Sequence, residues 1–191
     1  MQYKKEVYVS RITNLSDARY AAGMMVDYVG FSLDGSMEGA IDETLFAAIT
    51  GWIEGINIIG EFENLDLASI NVLQAKYKLH GISIPYSRSV EFKEWTDSLV
   101  IVRVNEQELD SLAIPSNWLV QVESSGNLNI SMLAQHKNAQ QFIITGDVDQ
   151  ELLNQIADSE IRAVVLKGEE EERPGYKDYD SLADTLEYLE V

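Results

Sequence analysis

The sequence contains no cysteine. That excludes disulfides, thiolate metal sites and a cysteine acting as nucleophile or base. Positive charge is scarce. Lys and Arg number 14 against 32 Asp and Glu, a formal net charge of −18. Such a surface is repelled by duplex nucleic acid and by an anionic bilayer, so neither is expected as a partner. The plain consequence of the charge is solubility. No stretch approaches the roughly 18 apolar residues that a membrane helix needs. Residues 1–10 carry Lys4 and Lys5 but no apolar core of signal-peptide type, so the expected location is the cytoplasm. The motifs Asn14-Leu15-Ser16 and Asn129-Ile130-Ser131 then read as chance matches to a glycosylation acceptor. There is no Pro/Gly/Ser-rich linker and no biased segment beyond the acidic run 169–172. The chain, 1–191, therefore reads as one domain.

What is present is a regular alternation. Short apolar, β-branched runs occupy 7–12, 28–33, 56–62, 81–84, 99–104, 118–122, 142–145 and 163–166, each bounded by turn-forming residues. Between them apolar residues recur at helical spacing. Leu45, Ile49 and Ile53 form one such face, Leu67, Ile70, Leu73 and Tyr77 another, and Leu182, Leu186 and Leu189 a third. Asn14 or Ser16, Asp42, Asp66, Asp149 and Asp180 stand where N-caps are expected. Met24 and Met25 are expected on the first helix as packing residues. His136 is expected near the end of the sixth helix. Eight strands alternating with eight helices imply parallel βαβ units. Periodicity alone leaves both a closed barrel and a doubly wound open sheet standing.

The opening segment separates those two. Val7-Tyr8-Val9-Ser10-Arg11-Ile12-Thr13-Asn14-Leu15-Ser16-Asp17-Ala18 resembles the first strand and turn of phosphoribosylanthranilate isomerases, V-K-I-C-G-I-T-N-x-x-D-A. Ile59-Gly60-Glu61-Phe62-Glu63-Asn64 is similar to that family's third strand, V-G-V-F-V-N. Arg173-Pro174-Gly175-Tyr176-Lys177-Asp178 resembles the segment after its eighth strand. The resemblance implies a (β/α)8 TIM barrel with shortened loops, since 191 residues is small for that fold.

The departures from the family pattern bear on function. The resemblance implies an Amadori rearrangement in tryptophan biosynthesis. A Cys on the first strand would remove the C2′ proton, and an Asp on the sixth would protonate the ribose ring oxygen. Those positions hold Ser10 and Gln121. A serine without a partner base is a poor proton acceptor near neutrality, and an amide delivers no proton. The family's arginine for the anthranilate carboxylate aligns with Gly39, and its Q-L-H-G with Ser83-Ile84-Pro85-Tyr86. Leu79-His80-Gly81 imitates that motif but falls before the strand. In the two phosphate loops, Thr145-Gly146-Asp147-Val148 and Lys167-Gly168-Glu169 place Asp147 and Glu169 where phosphate oxygens would sit. Like charges oppose anion binding there. The glycine-rich segment after the sixth strand is reduced to Ser124-Ser125-Gly126-Asn127.

The C-terminal mouth remains the expected functional face. Beside Ser10 and Gln121 it would gather Arg11, Asp34, Glu61 and Glu63. It would also gather Arg103, Glu123, Asp147, Lys167 and Glu169. No cofactor is expected and no metal site is assigned, although a ring of carboxylates could take a hard cation or a cationic ligand. Arg11 and Arg103 would grip an anion or pair with the acids. Three functions stand open. One is an inactive isomerase homologue kept as a binding or interaction module. A second is a barrel enzyme with different, metal-assisted chemistry. The third is a divergent isomerase. The partner would be a small molecule or a protein, and the chain a monomer or homodimer.

Overall fold

Side chains alternate along a strand, so each strand of a barrel sends every second residue inward and the others toward the helices. The computed structural model describes residues 2–95, 98–123, 128–145, 150–167 and 180–190. It contains β1 (Glu6–Ser10), β2 (Tyr28–Ser32), β3 (Asn57–Glu61), β4 (Gly81–Pro85), β5 (Leu99–Asn105), β6 (Leu119–Glu123), β7 (Phe142–Thr145) and β8 (Ala163–Lys167). Neighbours in sequence pair in parallel, and β8 returns to pair with β1, closing the barrel. The fold is a (β/α)8 barrel, and the open-sheet alternative is excluded.

Tyr8, Tyr28, Ile59, Ile101, Leu119, Ile143, Ala163 and Val165 pack inside the barrel. Residues of opposite parity, such as Val7, Val9, Val29, Phe31, Ile82 and Ile84, belong to the larger core shared with the helices. Each fully buried aliphatic side chain stabilises by about 1.5–3 kcal/mol. The interior holds two tyrosine rings, Tyr8 and Tyr28, edge to face at 6.3 Å. Gly30 makes that possible. A β-carbon there would lie 2.2 Å from both the Tyr8 hydroxyl oxygen and Glu61 Oε1.

Three helices begin where the caps predict. Asn14, Asp42 and Asp66 each accept a backbone N–H at 2.8 Å, from Asp17, Leu45 and Ser69. They open α1 (Leu15–Gly23), α2 (Glu43–Thr50) and α3 (Leu67–Tyr77). Later helices are α4 (Ile130–Ala134), α5 (Gln150–Ala157) and α6 (Asp180–Leu189). Asp180 is the first residue of α6 rather than its cap. The expected cap Asp149 lies outside the described residues.

Among the described residues the full set of eight helices does not form. After β4 and β5 the chain makes only 3-10 segments, Tyr86–Phe92 and Glu106–Ser111. The first is rich in Ser and aromatic residues with weak helix preference. The second has a reciprocal cap between Asn105 and Glu108, yet Pro115 lies just beyond and disfavours helical backbone in the residue before it. Met25 also departs from expectation. It follows the end of α1 at φ 54 and is 55% exposed, whereas Met24 packs on the core. His136 lies just past α4, with its ring stacked on Phe142.

Candidate functional site

Above the apolar interior the inward positions turn polar. Moving two or four residues toward the C-terminal end of each strand reaches Ser10, Ser32, Glu61, Ser83, Gln121 and Thr145, all buried. Arg103 joins them half-buried from β5. These seven form the floor of the mouth.

Glu61 is the hub of that floor. It is 4% exposed and accepts hydrogen bonds from the Tyr8 hydroxyl at 2.6 Å and the Ser32 hydroxyl at 3.1 Å. The Arg11 backbone N–H adds a longer contact at 3.3 Å. A buried carboxylate needs such donors, because its charge is otherwise costly to desolvate. Burial, and then the carboxylate beside it, push the Tyr8 phenol well above its ordinary pKa. Tyr8 therefore stays protonated and donating.

Arg103 is also anchored. It donates to Ser83 Oγ at 3.0 Å and to the Phe62 carbonyl at 2.9 Å, and it forms an ion pair with Glu63. Arg88, from the shortened β4 connection, supports the same loop by donating to the Glu63 carbonyl at 3.0 Å. Asp34 is a loop clamp. One of its oxygens accepts the backbone N–H groups of Glu63, Asn64 and Leu65, and the other takes the Ser36 N–H and hydroxyl. Burial works to raise its pKa. The donors from Ser36, Asn64 and Glu63 outweigh burial and hold it well below the usual carboxylate range. Its carboxylate is spent on joining the β2 and β3 loops.

Ser10 is 4% exposed, and its hydroxyl donates to the Leu166 carbonyl at 3.3 Å. Gln121 is 5% exposed and lies between Arg103 and Ile143 in register. The two positions aligned with the family base and acid thus both face the barrel interior at its mouth. Gly39, aligned with the family's carboxylate-binding arginine, has φ 69, a turn geometry that favours glycine. His80 precedes β4, away from the mouth, where its Nδ1 accepts the Ile58 N–H at 3.0 Å.

A cavity of about 420 Å³ opens over this floor on the side where the helices are missing. Arg11, Glu63, Arg103 and Glu123 of the expected set line it, together with Tyr86, Asn105 and Glu108. Arg11 is the odd member. It stands at φ 55, a conformation costing a non-glycine residue roughly 1–2 kcal/mol. Its guanidinium has no hydrogen bond or ion pair among the described residues. The half-buried Glu123 carboxylate has none either. Lys167, exposed at the end of β8, is not part of the lining. Asp147 and Glu169 lie outside the described residues. Among the described residues no three His, Cys, Asp or Glu side chains converge to hold a metal. No helix among them is long and apolar enough to cross a membrane.

Sequence reasoning missed Ser32, Ser83 and Thr145 in the floor of the mouth, Tyr8 beneath it, and Tyr86, Asn105 and Glu108 in the cavity wall. Counting by twos from Ser10 and Gln121 would have found Tyr8, and the same count along β7 reaches Thr145. The Thr145 hydroxyl is buried without a hydrogen-bond partner among the described residues.

No protein-family model and no curated protein matches the chain. Solved structures do match it. Phosphoribosyl anthranilate isomerase from Thermotoga maritima is 18% identical with a TM-score of 0.78, over 97% of this chain and 98% of that one. The Thermus thermophilus enzyme is 18% identical with a TM-score of 0.76, over 96% and 98%. N-(5′-phosphoribosyl)anthranilate isomerase from Pyrococcus furiosus is 12% identical with a TM-score of 0.71, over 97% and 98%. At these identities the likeness establishes the fold, so the chain has the barrel architecture of the phosphoribosylanthranilate isomerases along nearly its whole length.

Proposed function

We propose that this protein is a phosphoribosylanthranilate isomerase-like barrel that has given up the isomerase reaction and keeps its mouth as a binding site. One observation carries the reading. The inward-facing, buried side chains at the last position of β1 and the middle of β6 are Ser10 and Gln121, and neither exchanges protons usefully near neutrality. The Ser10 hydroxyl donates to a backbone carbonyl, so no base activates it. The cavity volume falls within the usual range for small-molecule sites, roughly 300–1,000 Å³. Its lining is charged and polar, which suits a polar ligand. In this reading the chain is a single cytoplasmic domain, with no nucleic-acid or membrane partner.

A divergent isomerase is the second reading. It is favoured by the near-complete overlap with isomerase barrels on both chains. It requires an acid–base pair elsewhere in the mouth. The metal-assisted alternative has no converging ligand set among the described residues to support it.

The test is an isomerase assay on the purified chain. Phosphoribosylanthranilate is supplied and the loss of its fluorescence is followed beside an active isomerase. The expected result is no turnover from folded protein. Turnover would sink the reading and favour the divergent isomerase.

A further inference from the structure

The charges around the mouth cavity do not all cancel one another. Glu63 is paired with Arg103, and Glu108 accepts the Asn105 backbone N–H at 2.8 Å. Arg11 just past β1, Glu123 at the end of β6 and Glu38 in the loop after β2 have no such partner among the described residues, and all three line the same cavity; Arg11 and Glu38 are exposed and Glu123 is half-buried. Arg11 and Glu123 approach it from strands three positions apart in the barrel, β8 and β7 lying between. Arg11 occupies a left-handed backbone position where glycine would be the less strained choice. The arginine there is accounted for by what its side chain reaches, because local backbone stability argues against it.

We infer that the mouth binds a small zwitterion, its carboxylate held by Arg11 and its ammonium group by Glu123. This rests on the reading of the mouth as a binding site and names the ligand class. A ligand bearing only an anion would satisfy Arg11 while leaving Glu123 unpaired. A ligand bearing only a cation would do the reverse. A charge that a ligand covers without pairing it weakens binding, so a ligand carrying both signs is the one that compensates both walls. Arg guanidinium suits a carboxylate through paired N–H donors, and a carboxylate suits an ammonium group. Met37, Pro85 and Tyr86 supply the apolar stretch of wall, which fits methylene groups separating the two charges. The ligand class is therefore an amino acid with its amine and carboxylate set apart by a short aliphatic spacer.

The experiment is titration calorimetry on the full chain at low ionic strength. The probes are γ-aminobutyrate, 6-aminohexanoate and 8-aminooctanoate, with hexanoate and hexylamine as single-charge controls. At least one zwitterion is expected to bind about tenfold or more tightly than either control, a difference within the reach of one added charge pair. Arg11→Gln should lower its affinity to the level of hexylamine, and Glu123→Gln to the level of hexanoate. Circular dichroism on both variants checks that the barrel is intact. The inference is overturned if a control binds as tightly as every zwitterion, if no zwitterion binds, or if both folded variants keep full affinity. The isomerase assay is run on the same preparation. Turnover there removes the reading of an inactive barrel, whereas failure of the titration alone leaves that reading standing without this ligand class.

Discussion

The two ends of the barrel treat charge differently. At the N-terminal end, Glu6 takes Arg162 through two contacts of 2.8 and 3.0 Å and also accepts the Tyr28 hydroxyl at 3.0 Å. Asp27 accepts the Val7 N–H at 2.8 Å, and Lys5 donates to the Ser159 carbonyl at 2.6 Å. A larger cavity of about 710 Å³ lies there, and the charged groups around it are engaged with one another or with backbone, except that Glu160 accepts the Gln140 amide and Lys4 sits over the Tyr188 ring. At the C-terminal end, Arg11 and Glu123 are unpartnered among the described residues and the Thr145 hydroxyl is orphaned. Cavity size alone points to the N-terminal end. Unpartnered charge points to the mouth, the end at which such barrels usually carry function.

Substitutions can break or sharpen this comparison. The largest effect is expected in the interior that both ends share. Ile59→Ala should cost about 2–5 kcal/mol in urea denaturation, because the barrel cannot collapse onto the space left behind. Tyr8→Phe should cost about 1–3 kcal/mol by withdrawing the shortest hydrogen bond to buried Glu61. At the N-terminal end, Glu6→Gln should cost less than about 1 kcal/mol, since the pair is substantially exposed.

Arg11→Gly should go the other way. Relief of the left-handed strain is expected to raise stability by about 0.5–1 kcal/mol, measured as a higher Tm, while zwitterion binding is lost. A destabilised Arg11→Gly protein would mean that the arginine serves the fold, and the contrast between the two ends would weaken.

Asp34 supplies a pH test. Its folded-state pKa is depressed, chiefly by hydrogen bonds working against burial. Its contribution is therefore present above the unfolded aspartate value of about 3.9 and is lost as pH falls through the lower folded value. Denaturation midpoints taken at descending pH should fall more steeply for the parent chain than for Asp34→Asn. Equal slopes would remove the clamp from the account.

The strands were legible because short apolar, β-branched runs bounded by turn residues record burial on both faces. All eight lie within two residues of the expected bounds. Closure of the sheet was not legible from periodicity, because helices cover a parallel sheet in either architecture. It came from the opening motif. The contracted connections after β4 and β5 were missed because the apolar spacing there is compatible with a helix, while Pro115 and the Ser-rich stretch 87–89 decide against one. In the mouth, Ser10 and Gln121 were singled out by the family resemblance. The carboxylates were not distinguishable in sequence. Asp34, Glu61, Glu63 and Glu123 have four different fates, a backbone clamp, a buried hub, an ion pair and an unpartnered wall. Which donors reach each oxygen depends on loops that come together only in the fold.

The most direct measurement is a single-turnover isomerase experiment, with the chain in excess over phosphoribosylanthranilate so that even slow conversion is visible. The expected fluorescence trace is no faster than that of buffer alone, from protein whose folding is verified in the same sample. A decay catalysed by the chain and abolished by Ser10→Ala or Gln121→Ala would contradict that expectation, by placing the reaction's proton transfers back at these two positions of β1 and β6.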